Sequence, residues 1–470
     1  MSLLIKGGTV VSATGAQLMD VLVDGERIAA LVAPGSEPAE SAERGAEQVL
    51  DATGQYVVPG GVDGHTHMEL PFGGTVASDD FETGTRAAAW GGTTTIIDFA
   101  VQTTAEDVRE SLDAWMAKAE GNCAIDYGFH MIIGGVNEGS LKAMDALVHE
   151  GITSFKLFMA YPGVFLSDDG QILRAMQQAA GNGGLIMMHA ENGLAIDVLA
   201  EQAVERGETE PINHGYVRRA ELEGEATHRA IQLAKVGAAP LYIVHLSASE
   251  ALEQVAAARD AGGNVFAETC PQYLYLNLED HLGAPGFAGA GYVCSTPLRT
   301  KHAHHHADLW KGLRTNDLSV VSTDHCPFCM KDQKELGLED FRAIPNGIGG
   351  IEHRMDLIYQ GVAAGELTLP RWVELCSTTP ARMFGLYPRK GVIAPGADAD
   401  IVLYDPDQPW TISVDNHHMR LDYSAYEGIE VSGRVHTVLS RGRVIVENDQ
   451  YTGTRGDGMY LRRGLCGYLQ

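Results

Sequence analysis

The chain has 470 residues, enough for about three average domains or for one large barrel with a small companion. Its 62 Asp and Glu outweigh 34 Lys and Arg, for a formal net charge of -28; such a surface repels phosphate backbones and anionic membranes, which argues against both as partners. A hydrophobic content of 45%, with 55 Gly scattered rather than repeating, excludes a disordered, collagen-like or coiled-coil chain.

The amino terminus runs directly into alternating apolar positions, without the basic and long apolar regions of a signal peptide. No apolar run of about 18 residues occurs, so a soluble, cytoplasmic protein is expected. Seven cysteines, scattered from Cys123 to Cys466, suit a reducing compartment better than a disulfide framework. Over residues 1–55, short alternations at Leu3–Val11, Val21–Val23 and Ile28–Leu31, broken by Asp24-Gly25 and Pro34-Gly35, predict a small all-β piece. The same texture returns over residues 387–450, in Asp400–Tyr404, Val435–Leu439 and Val444–Glu447, so the two ends are expected to pair into one β-sandwich. Residues 451–470 form a polar tail with isolated aromatics, for which disorder is one reading.

Residues 56–386 alternate short apolar or β-branched runs with Ala-rich segments of helical period. Eight strands are predicted: Val57–Val62, Thr94–Ala100, Ile125–Ile133, Thr153–Met159, Leu185–His189, Leu241–Leu246, Asn264–Thr269 and Ser319–Asp324. The helices predicted between them include Phe81–Ala89, Ala105–Ala119, Leu141–Val148, Ile172–Ala180, Arg218–Lys235 and Ala248–Ala261. Eight such units point to an α/β fold built on a (β/α)8 TIM-like barrel. A doubly wound open sheet is the alternative, but no Gly-rich nucleotide turn follows a strand.

Candidate chemistry sits at the carboxyl ends of these strands, where a barrel places its active site. His65 and His67 follow the first, Lys156 lies in the fourth, His189 ends the fifth, His245 lies near the end of the sixth and Asp324 ends the eighth. Residues two apart on a strand share a face, so His65 and His67 can grip one cation, and imidazoles with a carboxylate suit borderline divalent ions. A lone His-x-His is weak evidence; its coincidence with further strand-end ligands in barrel order is strong. No Gly-x-Ser-x-Gly elbow or Walker loop is present, which weighs against a serine hydrolase and an ATP-driven enzyme.

With these residues in place the chain resembles the dihydropyrimidinase and D-hydantoinase family of cyclic amidohydrolases. The resemblance is carried, in order, by Pro59-Gly-Gly-Val-Asp-Gly-His-Thr-His67, Ser154-Phe-Lys-Leu-Phe-Met-Ala-Tyr161, Met188-His-Ala-Glu-Asn192, Val244-His-Leu-Ser247, Cys294-Ser-Thr-Pro-Leu-Arg299, Ser322-Thr-Asp-His-Cys-Pro-Phe328 and Ile344-Pro-Asn-Gly-Ile348. It spans nearly the whole chain. It implies two zinc ions per subunit, one on His65, His67 and Asp324 and one on His189 and His245, bridged by Lys156 as an N6-carboxylated lysine. An ammonium cannot ligate a cation, whereas a carbamate supplies two oxygens. The resemblance further implies that a metal-bridging hydroxide opens a cyclic diamide to an N-carbamoyl amino acid. Asp324 relays the proton, Tyr161 stabilises the oxyanion, and Ser295 and Asn346 hold the imide edge largely through backbone groups. A homotetramer is expected on the same ground, with residues 451–470 reaching a neighbouring subunit.

Related dihydroorotases and allantoinases usually follow the His-x-His pair with an Arg or Asn that engages a carboxylate or ureide. Here Met68-Glu69-Leu70-Pro-Phe72 follows, which favours the neutral rings of dihydrouracil, dihydrothymine and 5-substituted hydantoins. Leu70, Phe72 and Phe165 are candidate walls of the pocket for the exocyclic group. A non-catalytic scaffold relative is the competing class, but all six ligand positions are filled. Cys326 and Cys329 have redox or zinc-knuckle spacing without a partner pair, and His302, His304, His305 and His306 read as a solvated helix face.

Overall fold

The computed structural model describes residues 2–103 and 106–469; Met1, Ala105 and Gln470, which fall in the predicted amino-terminal piece, one predicted helix and the tail, lie outside the described residues. Eight parallel strands form a single sheet in sequential order: Gly61–Thr66, Thr93–Gln102, Asp126–Ile133, Ser154–Phe158, Leu185–His189, Leu241–Ile243, Val265–Thr269 and Val320–Val321. A parallel bridge between Thr66 and His325, with the His67 N–H donating to the His325 carbonyl at 2.8 Å, joins the last strand to the first. The sequential order and this closure make a barrel and remove the open-sheet alternative. Thr93–Gln102 and Asp126–Ile133 are buried at every position, as expected of strands covered on both faces.

Local chemistry sets the boundaries of the surrounding helices. Asp80, Asn137 and Asp168 each cap a helix (Phe81–Trp90, Glu138–Glu150, Asp169–Asn182) in a reciprocal box with the third helical residue. The second and third of these helices end on Gly151 and Gly183 in the left-handed conformation. The helix expected from Ala105 runs Val108–Ala119, capped by Asp107.

The two chain ends meet in one seven-stranded sheet, where Tyr56–Pro59 pairs with Thr9–Ser12 on one side and Ile401–Asp405 on the other. A four-stranded sheet from residues 2–51 packs against it around Leu3, Val21, Val57, Ile401 and Leu439. Two expected strands are therefore divided. Leu3–Val11 breaks at Gly7, with φ +76°, into Ser2–Lys6 and Thr9–Ser12, which enter different sheets. Val57–Val62 breaks at Gly60: its first half belongs to the sandwich and only Gly61–Thr66 to the barrel. A Cβ at Gly60 would lie 2.1 Å from the Thr94 hydroxyl, so the crossing between the two sheets requires glycine.

The tail is ordered against its own barrel. Leu461 N–H donates to Tyr127 O at 2.7 Å, the Arg463 guanidinium donates to Phe129 O and Ser154 Oγ, and Leu461 and Cys466 are buried. Among the described residues no helix is long and apolar enough to cross a membrane.

Candidate active site

The sixth and eighth strands are shorter than Leu241–Leu246 and Ser319–Asp324, the ranges that periodicity predicts, and the reason lies in the site. His245 and Asp324 have φ of +39° and +51°, and Tyr161, just past the fourth strand, has +62°. Left-handed backbone ends a β-ladder and swings these side chains over the barrel mouth.

One cavity is lined by His67, Lys156, Tyr161, His189, His245, Ser295, Asp324 and Asn346. His65, fully buried, lies beneath it. Its Nε2 is 3.1 Å from Asp324 Oδ1 and 2.9 Å from Lys156 Nζ, while His67 Nε2 is 3.4 Å from the same Asp324 oxygen. One ligand atom from each of His65, His67 and Asp324 lies within 4.8 Å of the other two, so these three can hold a metal ion. On the other side of Lys156, His189 Nδ1 is 2.9 Å from His245 Nε2.

The donor set fits metal binding because the outward nitrogens are already engaged. His65 Nδ1 hydrogen-bonds to the Glu268 carboxylate, and His189 Nε2 is 2.8 Å from Glu191 Oε2, leaving the opposite nitrogens facing the cluster. Burial pushes the His67 pKa down to about 3 and lowers those of His189 and His245, keeping these rings neutral, as ligands must be. At His65 burial and Lys156 act downward, but Glu268 and Asp324 outweigh them and the net shift is upward. For Asp324 burial opposes the charged form, yet the surrounding histidines hold its carboxyl well below the usual range.

Lys156 is 2% exposed, and its ammonium sits over the rings of Phe99 (4.4 Å) and Phe158 (5.0 Å). Burial, only partly offset by Asp324 and Glu268, pulls its pKa down to about 8, so a neutral amine is accessible near physiological pH. Beyond the cluster, Asn346 Nδ2 lies 3.4 Å from the Tyr161 hydroxyl and 3.0 Å from Ser295 Oγ. Leu70, Phe72 and Phe165 line the same cavity, with Phe72 edge-on to Tyr161 at 5.3 Å and Phe165 stacked on Phe158 at 5.0 Å.

Sequence reasoning passed over Glu268, which accepts from His65, the Tyr242 hydroxyl and the His245 N–H. The signal was available: it is the lone carboxylate of the seventh strand, one residue from its carboxyl end. Also missed was Arg218, which pairs with Glu191 at 2.6 Å and lies 5.4 Å from the Tyr161 ring. Cys326 lines the cavity, but Cys326 and Cys329 are both free thiols, and Cys329 Sγ is 3.5 Å from Arg420 O. His302 and His304 are exposed but precede the helix His305–Thr315, while His305 is buried, accepting from the Ser249 N–H at 3.0 Å, and His306 is half-buried with its Nε2 2.9 Å from Leu276 O, so the four do not form one solvated helix face.

Residues 56–445 match the amidohydrolase family. A D-hydantoinase of Streptomyces coelicolor is 65% identical over 465 residues, covering 99% of this chain and 98% of that protein. A D-hydantoinase of Geobacillus stearothermophilus is 46% identical over 471 residues, covering 100% and 98%. Among solved structures, a dihydropyrimidinase from Brevibacillus agri superposes with a TM-score of 0.95 at 46% identity, covering 99% of each chain.

Proposed function

The chain belongs to the amidohydrolase family, and from that premise we propose that it hydrolytically opens the rings of 5,6-dihydrouracil, dihydrothymine and 5-substituted hydantoins to N-carbamoyl amino acids. The observation that carries this reading is a buried ligand cluster at the floor of a cavity with apolar walls, in a chain 65% identical to a D-hydantoinase. His65, His67 and Asp324 would hold one zinc ion and His189 and His245 a second, with Lys156, carboxylated on its amine, bridging them. The lowered Lys156 pKa supports this modification, because only the neutral amine attacks carbon dioxide. When bound, such a pair makes hydroxide available near neutral pH and polarises the amide carbonyl.

The chain's own residues then divide the work. The Asp324 carboxylate, facing both His65 and His67, accepts the proton of the attacking water and returns it to the leaving ring nitrogen. Tyr161 donates its hydroxyl proton to the carbonyl oxygen as charge develops there. Burial pushes its pKa upward, which keeps it a donor. Ser295 and Asn346 align the imide edge, and Leu70, Phe72 and Phe165 contact the exocyclic group and exclude water.

A neutral ring fits better than dihydroorotate. Among the described residues no arginine lines this cavity, and the nearby Arg218 is committed to Glu191. A cytoplasmic homotetramer acting on a small cyclic amide, with neither nucleic acid nor membrane as partner, completes the reading. Metal analysis paired with ring-opening rates on dihydrouracil, a 5-substituted hydantoin, allantoin and dihydroorotate tests it. About two metals per subunit with turnover of the first two substrates is expected. No metal after reconstitution, or turnover confined to the last two, overturns it.

A further inference from the structure

Outside the ligand cluster, one lysine among the described residues is buried without a carboxylate partner. Lys334, in the loop after the eighth barrel strand, has no exposed surface. Its Nζ donates to three backbone carbonyls: Val293 at 3.0 Å, Pro345 at 2.7 Å and Gly347 at 2.9 Å. An ammonium has three donors and no acceptor, so these carbonyls saturate it. The groups that face it electrostatically are the Cys294 and Cys326 thiols, and burial pulls its pKa down to about 7. Burying an ammonium against dipoles alone is costly, and a methionine of similar length would fill the volume without that cost.

What the lysine joins accounts for its presence. Val293 precedes Ser295 by two residues, and Pro345 and Gly347 flank Asn346, so the three carbonyls belong to two loops some fifty residues apart in sequence. The loops also meet directly, through Gly347 N–H to Val293 O at 2.9 Å behind and Asn346 Nδ2 to Ser295 Oγ at 3.0 Å in front. Among the described residues the peptide groups of Ser295 and Asn346 themselves make no backbone hydrogen bond to the protein. Lys334 thus ties down the neighbours of the two residues whose own polar edges face the cavity.

We propose that Lys334 is a positioning residue whose ammonium clamps the Val293–Ser295 and Pro345–Gly347 loops at the spacing that the imide edge of the ring requires, without touching the ring itself. This rests on the reading of Ser295 and Asn346 as the groups that hold that edge. The C–N bond that breaks belongs to this imide edge, so its contacts act on the reacting bond as well as on bound substrate. Loosening them lowers kcat/KM, through kcat as well as KM.

Lys334→Met in the metal-loaded enzyme tests the clamp, read by dihydrouracil kinetics, metal content and amide hydrogen exchange. The expected result is faster exchange confined to the two loops, a kcat/KM at least about tenfold lower and unchanged metal content. Lys334→Gln, which keeps two N–H donors without the charge, folds more readily and is expected to fall between the wild type and Lys334→Met. Wild-type exchange in both loops overturns the clamp whatever the kinetics show, as does a Gln variant indistinguishable from wild type. Loss of metal in parallel with activity also overturns it, because the lysine would then support the fold at large. Faster loop exchange with unchanged kcat/KM overturns the role in ring positioning and traces the error to the assignment of Ser295 and Asn346. A wild type that opens no ring refutes the proposed function, while the exchange measurement still decides whether the loops are clamped.

Discussion

Glu268→Gln is the sharpest test of how the protein prepares its ligands. Glu268 has no exposed surface and serves three donors: His65 Nδ1, the Tyr242 hydroxyl at 2.8 Å and the His245 N–H at 3.2 Å. Its bond to His65 fixes which ring nitrogen carries the proton and turns Nε2 toward Lys156 and Asp324. Glutamine keeps the shape and one oxygen acceptor but sets an amide NH2 against one of those donors. Loss of such a partner typically weakens metal affinity about 10- to 100-fold, or about 1.4 to 2.7 kcal/mol. Glu268→Ala does more, leaving three buried donors unpaired at about 1 to 3 kcal/mol each, so it should destabilise the fold by about 3 kcal/mol or more. Chelator competition on the metal-loaded protein, with thermal unfolding of the metal-free form, separates the two effects. Glu268→Gln should lower affinity with little change in metal-free Tm, and Glu268→Ala should lower both. Wild-type metal affinity in Glu268→Gln would refute the idea that this carboxylate orients His65.

Tyr161→Phe removes the hydroxyl aimed into the cavity and should lower kcat by about 10²- to 10³-fold with a smaller effect on KM, as steady-state kinetics will show. Lys156→Ala should lose metal and activity together, with partial rescue by short carboxylic acids; full metal content and rate in that variant would count against the bridge. Glu191 has its pKa depressed from 4.5 to about 2, because Arg218 and His189 outweigh the opposing effect of burial. A depressed carboxyl stabilises the fold above its unfolded-state pKa and loses that contribution as pH falls toward the folded value, a term on the order of 3 kcal/mol. The stability margin of wild type over Glu191→Gln, measured by urea unfolding, should therefore hold at neutral pH and narrow below about 4.5; a margin still flat near pH 3 would contradict the pairing.

Most of this site could be read from sequence because a parallel barrel delivers its side chains at strand ends, where a histidine or lysine after an apolar run is conspicuous. His189 ends a strand that periodicity located to the residue and Lys156 lies mid-strand in one located to a residue at each end, whereas the strand carrying His65 runs to Thr66, four residues past its predicted end. The unread part depends on contacts that periodicity does not encode. Glu268 meets His65 across 203 residues, and Lys334 joins loops from both sides of the eighth strand. The sheet boundary at Gly60 was hidden for a related reason: Val57, Val58 and Val62 read as one apolar run across Gly60-Gly61, and only close approach to Thr94 reveals the crossing.

The strand ends misjudged by periodicity are informative in themselves. Tyr161, His245 and Asp324 share left-handed backbone, and all three line the cavity. Each such residue costs about 1 to 3 kcal/mol and persists only where its surroundings over-determine it. Those surroundings are visible. The His245 N–H is held by Glu268 and its carbonyl by the Thr296 hydroxyl; Asp324 is followed by His325, which is fixed by Asp79 and by the Gly350 N–H. Apolar periodicity extends both strands because the side chains permit it, while the fold ends them early where His245 and Asp324 turn toward the cavity. The disagreement between pattern and structure at these positions therefore marks where the fold gives up regular hydrogen bonding to aim chemistry into the barrel mouth.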